Sequence, residues 1–401
     1  MSTGPLECQR DAALCVHTQR QVLWSQAQFL ALGLLMGCWA CSLPALKQRF
    51  GYDAQQLSLV LLSLAAGSVL AFLGCARVLQ AVGTAVFTRT TGVLAAYALV
   101  GTQLVSESES LALVAFVFGW ASAGFDVAIN ATAVAIERKA GRAVMSKLHA
   151  MFSSGGVVAA GVAAPLLQQH LDPLWLAVPA ALLLSALALA GPADAAGDPV
   201  PAPALGAVAG TDTRVPRSRL VWRLGAAALL CLLCEGTMYD WSAVYMTHVF
   251  AASPALAVAG FGLFSAAMAF GRFTGDTLRD RRGGAAVLGP GCWLAAAGAG
   301  LAVLAPHGGW ALLGFVLVGL GLSNVIPIVF AMAGRAGPGT AEGAIAFVSG
   351  IGFVGFLVGP PLVGLWASVF SFDTALLIVL AACVGVAGLV APARAHRGAG
   401  R

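Results

Sequence analysis

The sequence predicts an all-α membrane protein: twelve transmembrane helices arranged as two pseudo-symmetric six-helix bundles. Three observations predict it. Of 401 residues, 59% are hydrophobic and only 10% are charged, with a mean hydropathy of +0.87, too little polar surface for a soluble domain of this size. Apolar runs recur at lengths that cross a hydrocarbon core, each needing about 20 residues. The basic residues fall in alternate connections between those runs, as expected when Lys and Arg stay on one side of a membrane.

The runs place spans at 22–46, 56–76, 85–105, 111–136, 147–168, 173–190, 221–248, 254–274, 285–304, 310–332, 343–367 and 372–391. Each is long enough for about 30 Å of hydrocarbon with some tilt. The 49 glycines suit close helix packing in lipid. Residues 1–21 read as a polar tail without a cleavable signal, 22–190 and 221–391 as the two halves, and 392–401 as a second tail. Between the halves, 191–220 is rich in Pro, Ala and Gly without helical periodicity, and reads as a flexible linker. With an inside N-terminus, 20 of the 22 basic residues fall on the inside and only Lys47 and Arg49 outside. Both termini and the linker are therefore expected in the cytoplasm.

The densest charge lies in Gly271–Gly284, which holds four arginines and two aspartates in 14 residues. It reads as a short cytoplasmic turn between two spans. Shifting the sequence by 200 residues sets Ala71–Thr84 against it, with Gly83 meeting Gly283 and Gln80 meeting Asp280. Internal repeats of this kind mark secondary transporters, whose solute site lies between the halves.

Gly275 with Asp280-Arg281-x-Gly283 resembles the loop signature of the major facilitator superfamily, as does the order of six spans, a linker and six spans over residues 20–392. Within it, the segment Gly124–Asn130 (G-F-D-V-A-I-N), Pro327 and the Gly359-Pro360-Pro361 turn resemble the fucose-permease-like branch and its uncharacterised bacterial inner-membrane members. The resemblance implies a multi-pass secondary transporter of the bacterial inner membrane that alternates access to a small organic solute. It also implies a proton-coupling role for an acidic residue at the place of Asp126. Two departures stand out. Positions 80 and 81 are Gln and Ala where the first-half signature has Asp and Arg, and the first span has no acidic residue.

Charges inside a bilayer are costly, from about 2.5 kcal/mol upward at a helix centre, and are functional candidates for that reason. Asp126 lies about fifteen residues, or roughly 22 Å, into the fourth span. Asn130 is one turn on. Glu235 sits at comparable depth in the seventh span, with Tyr239 a turn beyond it and Asp240 and Trp241 nearer the outside. Asp126 and Glu235 are the expected proton-coupling residues, since a desolvated carboxyl can bind a proton reversibly near neutral pH. Asn130, Tyr239, Asp240, Trp241 and Asn324 are the expected solute-binding residues, offering hydrogen bonds and aromatic faces. Each also has a plainer reading: a satisfied interhelical contact for the polar groups, an interface anchor for Tyr239 and Trp241. Pro327 is expected to break the helix beside Asn324. His149, at a helix start, reads as an interfacial residue or a proton relay.

Gly275, Asp280, Arg281 and Gly283 are the expected gate. Asp280 would sit at the N-terminus of the fifth span, the positive end of that helix, and Arg281 would pair with Glu137 or Glu342, stabilising an outward-open state. The expected partners are the lipid bilayer, a small solute and protons. No nucleic acid is expected, and the protein is expected to be a monomer. No phosphate loop, metal ligand set or nucleophile constellation is present in the sequence, so neither an enzyme, a cofactor nor a metal is expected, and the nine scattered cysteines read as small buried residues. Two alternatives remain: a proton-driven exporter of drugs or metabolites, and a non-transporting sensor on the same scaffold, disfavoured by the lack of an appended soluble domain.

Overall fold

The computed structural model describes residues 5–140, 144–190, 218–335 and 341–390. It is helical throughout, with no strand among the described residues. The first half comprises α1 (Pro5–Phe50), α2 (Ala54–Val82), α3 (Thr84–Leu104), α4 (Ser108–Ala140), α5 (Met145–Gln168) and α6 (Leu174–Leu189). The second comprises α7 (Arg219–Phe250), α8 (Pro254–Arg282), α9 (Gly284–Val303), α10 (Gly308–Leu322), α11 (Val325–Ala333), α12 (Ala341–Val369) and α13 (Leu377–Val390). Each predicted span falls on one helix, except 310–332, which is divided between α10 and α11, and 372–391, whose first five residues are a turn before α13 begins at Leu377. Among the described residues nine stretches are long and apolar enough to cross a membrane, and α6 and α13 are shorter apolar helices. The twelfth, α3, is diluted by threonines. Thr88 and Thr91 lie buried and return their hydroxyls to the carbonyls of Thr84 and Phe87, both at 2.7 Å, so the helix carries them without an unsatisfied polar group. The predicted linker and the C-terminal tail lie largely outside the described residues, whereas the predicted N-terminal tail is, from Pro5 onward, the first part of α1.

The predicted charged turn is corrected by the structure. Residues 271–282 are helical, as the last three turns of α8, and only Gly283 turns the chain. Hydropathy marks where lipid ends, whereas Thr, Leu, Arg and Asp can continue a helix into water. The same holds in the first half, where α2 runs to Val82. Gly83 and Gly283 each join two helices alone, at φ 82 and 79°. A side chain is disfavoured in that backbone region. The matched pair gives the 200-residue repeat a physical basis.

The break between α10 and α11 follows from Pro327. Proline has no N–H to donate to the carbonyl of Ser323 four residues back, and the helix stops at Leu322 and restarts at Val325.

Helices α1–α6 pack among themselves, as do α7–α13, in matching pairs: α1 with α5 as α7 with α12, and α3 with α4 as α9 with α10. The closest pairs meet through glycine. A Cβ on Gly155 of α5 would strike the backbone around Leu30, and one on Gly355 of α12 the backbone of Leu229. The halves meet along α5 and α8, α2 and α12, and α1 and α7. Along those seams Gly262 faces Ala160, Gly364 faces Ser58, and the rings of Phe72 and Phe353 lie 4.7 Å apart.

Gly155→Leu should therefore force α1 from α5 and destabilise the protein by about 1–3 kcal/mol, read as a lower melting temperature in detergent. Gly161→Leu, on the same helix but with nothing within 4 Å of its Cβ, should leave melting unchanged. Equal effects of the two would contradict the packing described.

Candidate functional site

Arg272 was counted from sequence among the cytoplasmic charges, and the structure corrects that placement. It lies ten residues before the end of α8, inside a stretch long and apolar enough to span. Its Nη2 donates to Glu235 Oε1 of α7 at 2.8 Å, and its Nη1 to Ser153 Oγ of α5, also at 2.8 Å. The side chains of Arg272 and Glu235 are only 9% and 8% exposed. An ionised pair so deep is tolerable because each charge is neutralised and bonded. One guanidinium thus joins two helices of the second half to α5 of the first. Arg272 and Ser153 were the functional residues sequence reasoning missed. The available signal was an arginine inside the predicted span 254–274.

Tyr239 follows Glu235 by one turn and is 4% exposed, so it is no membrane-interface anchor. Its ring is caged by Phe261 at 5.2 Å, Phe264 at 5.9 Å, Phe152 at 6.1 Å and Phe356 at 6.4 Å. Its buried hydroxyl has no hydrogen-bond partner among the described residues, and neither has that of Ser265. Two buried hydroxyls short of partners, beside an ion pair and four phenyl rings, make a compact polar site with apolar walls on the seam between the halves.

The other expected solute ligands are distributed around this site. Asp126 and Asn130 of α4 are partly buried and bonded to each other, Asn130 Nδ2 donating to Asp126 Oδ1 at 3.0 Å. No cation lies within ion-pairing distance of Asp126 among the described residues. Asp240, on α7, is partly buried, and the buried indole N–H of Trp39, on α1, has no hydrogen-bond partner among the described residues. Trp241 is 1% exposed, and its N–H is taken by the Pro360 carbonyl at 2.8 Å. Asn324 stands at the break before α11, where its Nδ2 donates to the Gly271 carbonyl of α8 at 3.0 Å and to Ser323 Oγ at 3.0 Å. Trp241 and Asn324 thus hold the second half together in this conformation. The His149 ring packs edge-on to Phe29.

The expected gate is differently arranged. Gly275 lies against Asn324, which a Cβ would displace, so this signature glycine binds α8 to the α10–α11 break. Asp280 and Arg281 are exposed. The N-terminus of α5 is occupied instead by Glu137, which accepts the N–H groups of Val144 and Met145 at 2.8 and 3.1 Å. Glu137 is thereby committed to capping and makes no ion pair with Arg281. The side chain of Glu342 lies outside the described residues. No group of three or more His, Cys, Asp or Glu among the described residues could hold a metal.

Two repeated helical bundles around a polar seam define a polytopic transporter scaffold. The family model of the Major Facilitator Superfamily matches residues 28–343, and the chain belongs to that superfamily. It is a multi-pass membrane transporter and not an enzyme. It is 33% identical to an uncharacterised MFS-type transporter of Yersinia pestis, over 88% of this chain and 91% of that protein. It is 29% identical to the membrane protein MosC of Rhizobium meliloti, over 90% and 87% of the two. Among solved structures it is similar to the nucleoside transporter NupG, with a TM-score of 0.67 and 15% identity over 93% of this chain and 98% of that one. It is also similar to the Escherichia coli fucose:proton symporter FucP, with a TM-score of 0.61 and 14% identity over 92% and 97%. At those identities the structural likeness establishes the fold alone.

Breaking the buried pair from one side should cost more than removing it whole. Arg272→Gln and Glu235→Gln should each destabilise by about 3–5 kcal/mol, since each strands a buried charge. The double variant should be more stable than either single one, as measured by thermal unfolding in detergent. Additive losses would mean the two side chains are not coupled.

Proposed function

We propose that the protein is a secondary active transporter of a small polar organic solute, working by alternating access and coupled to protons through Asp126. The carrying observation is the contrast between the two carboxyls expected to couple protons, Glu235 and Asp126. Glu235 is bound to Arg272, so protonating it would leave a guanidinium uncompensated in a low-dielectric site. Among the described residues the side chain of Asp126 has only the Asn130 amide as its partner, and can exchange charge for a proton without stranding a cation. Glu235, Arg272, Tyr239 and Ser153 then form the solute side of the mechanism. Rocking of the halves about the α5–α8 seam would break the Arg272–Ser153 bond and open the caged hydroxyls to solute.

We also propose that the face bearing Arg279, Arg281 and Arg282 is cytoplasmic, that both termini lie there, that the protein acts as a monomer, and that the membrane is a bacterial inner membrane. The lopsided distribution of Lys and Arg and the bacterial relatives support the orientation and location. The proton coupling named for the fucose:proton symporter, a neighbour in fold, is in keeping with the proposed energy source. Asp280 and Arg281 remain proposed gate charges for a conformation in which the basic ends of the halves approach. Asp280→Asn should then alter transport kinetics and conformational labelling.

A thermal-shift screen of purified protein against sugars, organic acids, amino acids and cationic drugs would supply a ligand. In proteoliposomes, Asp126→Asn should abolish accumulation of that ligand driven by a pH gradient while leaving ligand exchange at equal pH in place. Retained gradient-driven accumulation would remove Asp126 from the mechanism.

A further inference from the structure

On the face opposite the basic connections, a cavity of about 650 Å³ lies between the halves. Its walls are the end of α1, the α5–α6 connection, the end of α7 and the start of α8, so it sits on the seam that alternating access would open. Gln168 Oε1 accepts the Ala255 N–H across that seam at 3.4 Å. The volume suits one small organic molecule.

The charged residues of the lining have different commitments. Arg49 donates to the carbonyls of Gln103 and Val105 at the end of α3 and lies 4.8 Å over the Phe50 ring. It satisfies helix-end carbonyls and favours the negative end of that helix. Asp172 accepts the Leu174 N–H at 2.9 Å, at the positive end of α6. Lys47 has no hydrogen-bond or ion-pair partner among the described residues, although its side chain lines the cavity. Two imidazoles, His170 and His248, lie in the same lining and supply N–H donors.

Sequence and cavity together make Lys47 unusual. Lys47 and Arg49 are the two basic residues that fall on this face against the bias of the whole chain. Arg49 has a structural occupation that explains it. Lys47 has none, and the lining carries two fixed cations, Lys47 and Arg49, against the one carboxylate of Asp172, so its field favours anions. We propose that this cavity is a vestibule site for small organic anions bearing a carboxylate, sulfonate or phosphate group, with Lys47 as its charge-selecting residue. Cys41, Pro44, Ala257 and Val258 offer apolar walls for the organic body. The site's place in transport rests on the alternating-access reading, but its charge preference does not.

The test therefore uses labelling without transport. Thr247 is exposed and lines the cavity, so Thr247→Cys places a reporter thiol there. The described native cysteines are buried, and wild-type labelling is subtracted. The probes are two methanethiosulfonate reagents of similar size, one carrying an ethylsulfonate and one an ethyltrimethylammonium, each normalised to its rate with a free thiol. The sulfonate should react faster at Thr247→Cys. Adding Lys47→Gln should lower the sulfonate-to-ammonium ratio by about 25-fold, about fivefold from each of the oppositely charged probes, the scale of one unit charge acting across about 4 Å of water, and Lys47→Arg should restore it. A ratio no higher than that of the free thiol, or one unmoved by Lys47→Gln, would overturn the proposal. Either outcome leaves the Asp126 experiment to judge the transporter mechanism separately.

Discussion

A guanidinium buried between membrane-spanning helices must have its charge answered locally, because water cannot screen it there. Arg272 is answered by Glu235 on the neighbouring helix, and its remaining edge reaches Ser153 in the other half. The surrounding structure is organised around that need. The Phe152, Phe261, Phe264 and Phe356 rings around Tyr239 give the polar group apolar surroundings, strengthening each bond inside while raising the cost of any bond left unmade. The same guanidinium that neutralises one half is therefore a tie between two.

The halves share a construction rule as well as a shape. Lipid offers no hydrophobic gain for bringing helices together, so their affinity comes from close backbone contact and from polar groups that find each other. The α1–α5 and α7–α12 pairs use glycine against backbone. The joints at Gly83 and Gly283 adopt nearly the same left-handed backbone geometry. Repetition of both devices in the two halves explains how a sequence whose repeats are barely similar can still build two bundles of one plan.

The spans were legible because the bilayer imposes a length and a composition on every segment that crosses it. Even α3, diluted by Thr84, Thr88 and Thr91, could be placed from the runs around it. The break beside Asn324 was legible through Pro327, whose missing N–H acts locally. Arg272 was not, because charges near a span end were assigned to the loop, and the partner that explains this one is 37 residues away. The role of Glu137 was hidden for a related reason. A cap is recognised in sequence from residues just before a helix, whereas this carboxylate reaches Val144 from the preceding helix. Tyr239 and Trp241, expected to bind solute, also admitted a plainer reading as anchors, because aromatic residues gather at membrane surfaces. Their burial depends on which helices surround α7, which a single sequence does not reveal.

The break in the second half also makes the bundles unequal in stiffness. In α4 the chain passes Asp126 and Asn130 as uninterrupted helix. At the matching depth of the second half the chain is jointed at Ser323 and Asn324, and the joint is held by a side-chain amide on the Gly271 carbonyl. Because Gly275 fits directly against Asn324, the basic end of α8 and the joint form one lever. The arginine-rich end of α8 is therefore tied to a joint in its own bundle, whereas the first bundle, with Gln80 and Ala81 at the corresponding corner, has no such joint in α4.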